Sequence, residues 1–102
     1  GGNSFESKFS DIQQETWCTI ASDGSYMTID TNPSNIDDYY SSSAVSAVER
    51  VNRELGFSDS VMSKMRQTRA LDGRQSDEND KYKVSWTYHP DQGLEVTYEK
   101  KK

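Results

Sequence analysis

At 102 residues the chain has room for one compact domain and not for two. Hydrophobic residues make up 31% and the mean hydropathy is −0.99, so no run approaches the roughly 20 apolar residues of a membrane-spanning helix. Seventeen acidic residues against twelve basic ones leave a net charge of −5, which removes the basic field that draws proteins to phosphate backbones and excludes nucleic acid as a partner class.

Leu, Ile, Val and Phe together number 16, a thin supply for a core, yet two Trp, six Tyr and three Phe can each bury a large ring. A folded chain whose core leans on aromatics is therefore expected. Cys18 is the only cysteine, which rules out an internal disulfide framework and, without Cys or His companions, a structural zinc site. The Gly-Gly-Asn-Ser opening has the small polar composition that follows a removed leader or a lipid-anchored cysteine. With fifteen Ser and seven Thr, it points to an extracytoplasmic bacterial domain, secreted or membrane-anchored through a removed leader.

The spacing of Asn3 and Glu6 is that of a capping box, and Phe5, Phe9 and Ile12 recur at helical intervals, predicting a first helix over 4–14. Residues 16–20 favour a strand, with an extension of the first helix as the alternative. Ser22, Asp23 and Gly24 supply a turn, after which the chain returns from Tyr26 to Asp30 as a hairpin. Around Pro33, residues 31–35 are turn formers that force a change of direction. Ala44, Val48, Val51 and Leu55 draw one apolar stripe ending at Gly56, a second helix.

Ser58 then caps a third helix, with Phe57 and Met62 placed as a hydrophobic staple and Val61, Met62 and Met65 facing the core. Residues 72–80 are too polar for a buried element and read as an exposed loop. Tyr82, Val84, Trp86 and Tyr88 alternate with polar residues, Pro90 to Gly93 form a turn, and Leu94, Val96 and Tyr98 alternate again. The predicted architecture is one α+β domain over 1–102, in the order α-β-β-α-α-β-β. Its antiparallel sheet of two hairpins (16–30 and 82–99) is covered on one face by three helices, with flexible N-terminal residues and a frayed Lys-rich tail.

Four groups of residues carry chemical possibilities. Asp30, Asn32 and Asp37 place oxygens along one short segment, as calcium loops do, and Asp77 and Asp80 could complete the charge if the fold joins the two loops. The pattern lacks the central Gly and the closing Glu of such loops, so capping and solvated turns are the preferred reading. Cys18 and His89 form a candidate thiolate–imidazole pair, against which stands the ordinary role of a lone strand cysteine as a small buried hydrophobe. Arg66, Arg69 and Arg74 could clamp a small anionic ligand, although cations near a helix C-terminus also suit the macrodipole. Tyr39 and Tyr40, adjacent in a polar segment, cannot both face one core and offer a binding surface or a weak homodimer contact.

There is no phosphate-cradling Gly-rich loop, no His-Glu-x-x-His helix and no Gly-x-Ser-x-Gly elbow. The leading expectation is a non-catalytic extracytoplasmic binding or interaction domain for an unknown protein or a small anionic ligand, with no cofactor. A calcium-stabilised domain is the first alternative and a small hydrolase using Cys18 and His89 the second.

Overall fold

The computed structural model describes residues 5–33, 41–90 and 93–101. Asn3, Asp37, Tyr39, Tyr40, Asp91 and Gln92, which enter the expectations above, lie outside them.

The order of elements is α1 (Phe5–Lys8), β1 (Cys18–Ile20), β2 (Tyr26–Asp30), α2 (Ser42–Glu54), α3 (Asp59–Gln67), a 3-10 turn η1 (Ala70–Asp72), β3 (Gln75–Glu78), β4 (Tyr82–His89) and β5 (Gly93–Lys100). The strands form one antiparallel sheet in the order β1-β2-β5-β4-β3, so a small α+β domain is what the chain builds. Both expected hairpins are present and meet through β2 and β5, with Ile29 opposite Val96 and Met27 opposite Tyr98.

Two parts of the predicted plan are corrected. The first helix is a single turn, because beyond Lys8 the backbone closes tighter bonds: Ile12 N to Phe9 O, Gln13 N to Ser10 O and Glu15 N to Ile12 O. Phe5, Phe9 and Ile12 still share a buried side, so the apolar spacing was a true core signal without being a regular helix. Among the described residues there are thus two full helices, not three. The second correction is a fifth strand: 75–78, expected as loop, pairs with β4 from Gln75 opposite Trp86 to Glu78 opposite Lys83.

Alternation sorts the sheet into two faces. On the helix side, Cys18, Ile29, Val96 and Trp86 make one cross-strand row, and Ile20, Met27, Tyr98 and Val84 the next. Val48 and Val51 of α2 and Val61 and Met65 of α3 are buried against these rows. Both rows end in polar residues at β3, Gln75 and Asp77, where Asp77 pairs with Lys64 of α3 at 3.0 Å. On the opposite face, Thr19, Thr28, Thr97, Ser85 and Ser76 stand in register across all five strands. Thr28 and Thr97 bring their hydroxyls to 3.2 Å, a cross-strand pairing that β-branched polar residues favour.

Side-chain hydrogen bonds fasten the layers. The Trp86 indole donates to Thr68 Oγ1 at 2.7 Å, and that hydroxyl donates onward to Lys64 O, fixing the end of α3 to β4. Asn79 Oδ1 accepts from Lys81 N and Tyr82 N to shape the β3–β4 turn, and its Nδ2 donates to Leu55 O at the end of α2. At the other end of the sheet, Thr31 Oγ1 donates to Leu94 O and accepts from Leu94 N, each at 2.9 Å. Gly93 makes this approach feasible: its φ is +71, and a Cβ there would stand 2.8 Å from Asn32 Cβ and 2.9 Å from Thr31 Oγ1.

Candidate functional site: the groove between the two helices

The stripe Val48, Val51, Leu55 that buries α2 has one polar member, Asn52, one turn beyond Val48 and 4% exposed. An amide in that position must find partners, because burying it without them costs on the order of 1–3 kcal/mol. Its Oδ1 accepts the Tyr98 hydroxyl at 2.7 Å. Among the described residues its Nδ2 faces only sulfur, Met62 Sδ at 3.5 Å and Met65 Sδ at 3.6 Å. Thioethers are weak acceptors, so the amide nitrogen retains most of its capacity to donate to an oxygen.

Asn52 lies against a groove of about 670 Å³ running between the second half of α2, the 56–58 connection and the face of α3 that carries Met62 and Ser63. Gly56, at φ +87, ends α2 in the left-handed conformation and lets the chain turn directly into Phe57. Phe57 is buried, tilted against Tyr98 with ring centroids 6.5 Å apart, and lines the groove together with the half-buried Met62. These two residues are those expected as a hydrophobic staple. Ser58 takes the expected N-cap position, but its hydroxyl bonds that of Ser60 at 2.6 Å and makes no side-chain cap bond.

The rim is charged with both signs. Arg66 pairs with Glu49 across the groove, Asp59 stands at the first turn of α3, and Arg53 makes no ion pair among the described residues. The site therefore offers an apolar floor of Phe57 and Met62, one under-used amide donor, and a rim that accommodates either charge.

The residues singled out from sequence are dispersed. Arg66 lines this groove, but Arg69 has left the helix, which ends at Gln67, and its backbone N–H and guanidinium serve Asp72. Arg74 lies beyond Gly73 and donates from Nη1 to Ser85 Oγ at 3.1 Å, on the sheet face away from the helices. The three cations do not converge on one anion site. Asp30 is the last residue of β2 and its Oδ1 accepts from Asn32 N in a local turn, with Asn32 buried. Asp77 is on β3, three interstrand steps or about 14 Å away and on the opposite face, with Asp80 in the turn that follows. The described acids of the two loops are not joined, and no group of three His, Cys, Asp or Glu suited to a metal occurs among the described residues.

Cys18 and His89 are also held apart. Cys18 is buried on the helix face of β1, whereas His89 is exposed at the end of β4 on the other face, again three interstrand steps away. Burial, with smaller contributions from Asp11 and Glu15, pushes the Cys18 thiol up to about 11, opposite to what a nucleophile needs. What the sequence reading missed was Asn52. Its signal was available, a lone amide on an otherwise apolar helical stripe.

Comparison with protein-family models, with curated proteins and with solved structures found no match for the chain. Among the described residues no helix is long and apolar enough to cross a membrane.

Proposed function

We propose that the chain is a non-catalytic binding module whose contact site is the groove between α2 and α3. Its ligand is a short peptide segment, anchored by an apolar side chain on Phe57 and Met62, with a carbonyl oxygen accepting from Asn52 Nδ2. The observation that carries the proposal is the buried Asn52 amide, held by Tyr98 and facing two sulfurs at the edge of a groove large enough for several side chains. An oxygen acceptor would give this donor a stronger partner than either thioether. The paired charges of Glu49 and Arg66 and the guanidinium of Arg53, which makes no ion pair among the described residues, suit a main-chain ligand with its alternating donors and acceptors. An extracytoplasmic setting is part of the proposal and is supported only by the Ser- and Thr-rich composition.

A thermal melt tests it, run with and without a pool of acetylated tripeptide amides bearing Leu, Phe or Met at the centre. At ten times Kd a ligand stabilises the folded state by about 1.4 kcal/mol, several degrees for a domain of this size. Ser63 is exposed on the groove wall, so Ser63→Trp fills the groove with little cost to the fold. The expected result is a peptide-dependent rise in Tm that Ser63→Trp abolishes. A rise that survives Ser63→Trp places binding elsewhere, and no rise with any peptide removes this ligand class.

A further inference from the structure

Strand β3 is an edge of the sheet, and the sequence leading through it reads Arg74, Gln75, Ser76, Asp77, Glu78. Arg74, Gln75, Ser76 and Glu78 are exposed. Asn79 N donates to Tyr82 O, so residue 79 turns its backbone groups toward β4. Antiparallel alternation then gives 77 and 75 to β4 as well and turns the N–H and C=O of Ser76 and Glu78 outward, to the open edge. Glu78 N confirms the direction, since it donates to β3's own Asp77 Oδ1 at 2.8 Å rather than to β4. Ser76 has no such cover among the described residues.

Natural sheets blunt such edges by keeping them short, by charge, or by lysine, proline or a bulge; β3 is short and charged but has no lysine, proline or bulge. Its charges are arranged instead for a copy of itself. When two β3 strands run antiparallel with Ser76 opposite Ser76 of a second copy, Arg74 falls opposite Glu78 and Gln75 opposite Asp77, each twice by symmetry. Shifting the centre to Asp77 sets two carboxylates face to face, so charge selects the Ser76 register. Arg74 and Glu78 lie on the face away from the helices, where Arg74 already reaches over Ser85 and Glu78 pairs with Lys101 at 3.1 Å. Asp77, on the helix face, has its charge met by Lys64.

We propose that the chain self-associates through β3, two copies pairing edge to edge about Ser76 into one ten-stranded antiparallel sheet. The Ser76 pair exchanges two main-chain hydrogen bonds, and the row of hydroxyls from Thr19 to Ser76 continues across the dyad into the second copy. The contact is short, which makes it a weak, concentration-dependent association. It uses other residues than the groove, none of whose lining side chains comes from β3. This surface differs from the Tyr39 and Tyr40 contact considered from sequence.

Sedimentation equilibrium over a concentration series decides it, with the full chain, Arg74→Glu, Glu78→Arg and the double exchange Arg74→Glu/Glu78→Arg. The weight-average mass of the unmodified chain should rise from 11.6 kDa toward twice that value. Either single exchange sets like charges opposite one another at two places and should weaken association by about tenfold or more, while the double exchange restores it. A mass that stays at 11.6 kDa throughout overturns the proposal. So does association that ignores the single exchanges or is not recovered in the double one. Amide exchange of the unmodified chain gives a second reading free of any folding defect: Ser76 N–H should slow with rising concentration, and an unchanged rate also overturns the proposal.

Discussion

The Tyr98 hydroxyl donates to Asn52 Oδ1 over 2.7 Å, the point at which the middle of the sheet is tied to α2 and through Asn52 to the groove. Both partners are buried, so removing one leaves the other without its bond. Tyr98→Phe should lower stability by about 1–3 kcal/mol, measured by urea denaturation, with an unchanged slope. Asn52→Leu, which removes the polar group on the helix side, leaves the tyrosine hydroxyl only its longer bond to Val48 O at 3.5 Å and should cost a similar amount or somewhat less. Tyr98→Phe combined with Asn52→Leu should cost less than the two single changes added, because no polar group is then left unpaired. Strict additivity would show that the bond contributes nothing.

Gly93 and Gly56 both have positive φ, but only Gly93 is crowded. A Cβ at Gly93 meets Asn32 Cβ and Thr31 Oγ1 inside 3 Å, whereas at Gly56 its nearest neighbour is Asn79 Nδ2 at 3.7 Å. Gly56→Ala should therefore cost only backbone strain, about 1 kcal/mol, and Gly93→Ala clearly more, because the Thr31 to Leu94 clasp must open. Equal losses in chemical denaturation would show that the 31–32 segment yields freely.

Stability should fall at both ends of the pH range for separate reasons. Arg50 grips Asp11 with two bonds of 2.6 and 2.8 Å while lying over the Phe9 ring. Chiefly through that hydrogen bond, it holds the Asp11 carboxyl below its ordinary 3.8. The unfolded chain then binds the proton first, so this contribution is present above pH 3.8 and is lost as pH falls below it. Cys18 shifts the other way, from 9.0 up to about 11, and Tyr98 is raised well above 10.0 by burial. Their neutral forms belong to the fold, so the Cys18 contribution is complete below pH 9 and declines as pH rises to about 11, and that of Tyr98 begins to decline only as pH rises past 10.0. Urea midpoints against pH should show a plateau with two falling limbs. Arg50→Ala should reduce the acid limb without abolishing it, since Ser25 and Lys64 also hold Asp23 and Asp77 below 3.8, and Cys18→Ala should reduce the alkaline one without abolishing it, since Tyr98 remains. An alkaline limb unchanged in Cys18→Ala would contradict the assignment.

Much of this fold was legible because periodicity reports burial. The stripe through Val48, Val51 and Leu55 predicted α2, and the alternation of Val84 with Ser85 and Val96 with Thr97 predicted the central strands. Strand β3 was hidden because at this edge the helix layer meets the sheet through a charged pair, Lys64 with Asp77, so Gln75 and Asp77 occupy inward positions without being apolar. The 9–15 segment misled for a related reason: successive tight turns satisfy the same spacing of Phe5, Phe9 and Ile12 that a helix does. The arginines could not be placed from sequence, since the end of α3 at Gln67 separates Arg66 from Arg69. Asn52 was visible as an anomaly on its stripe, but its two sulfur neighbours depend on how α3 packs.

The most direct test of the groove as a binding site is the side-chain amide of Asn52, followed by nitrogen-15 NMR during titration with the tripeptide pool. If a peptide carbonyl takes the place of Met62 and Met65 as acceptor, the Nδ2 protons move downfield together with the backbone amides of Arg53, Phe57 and Ser63. If peptides bind while the Asn52 side-chain signals stay where they are, the groove is not the contact site.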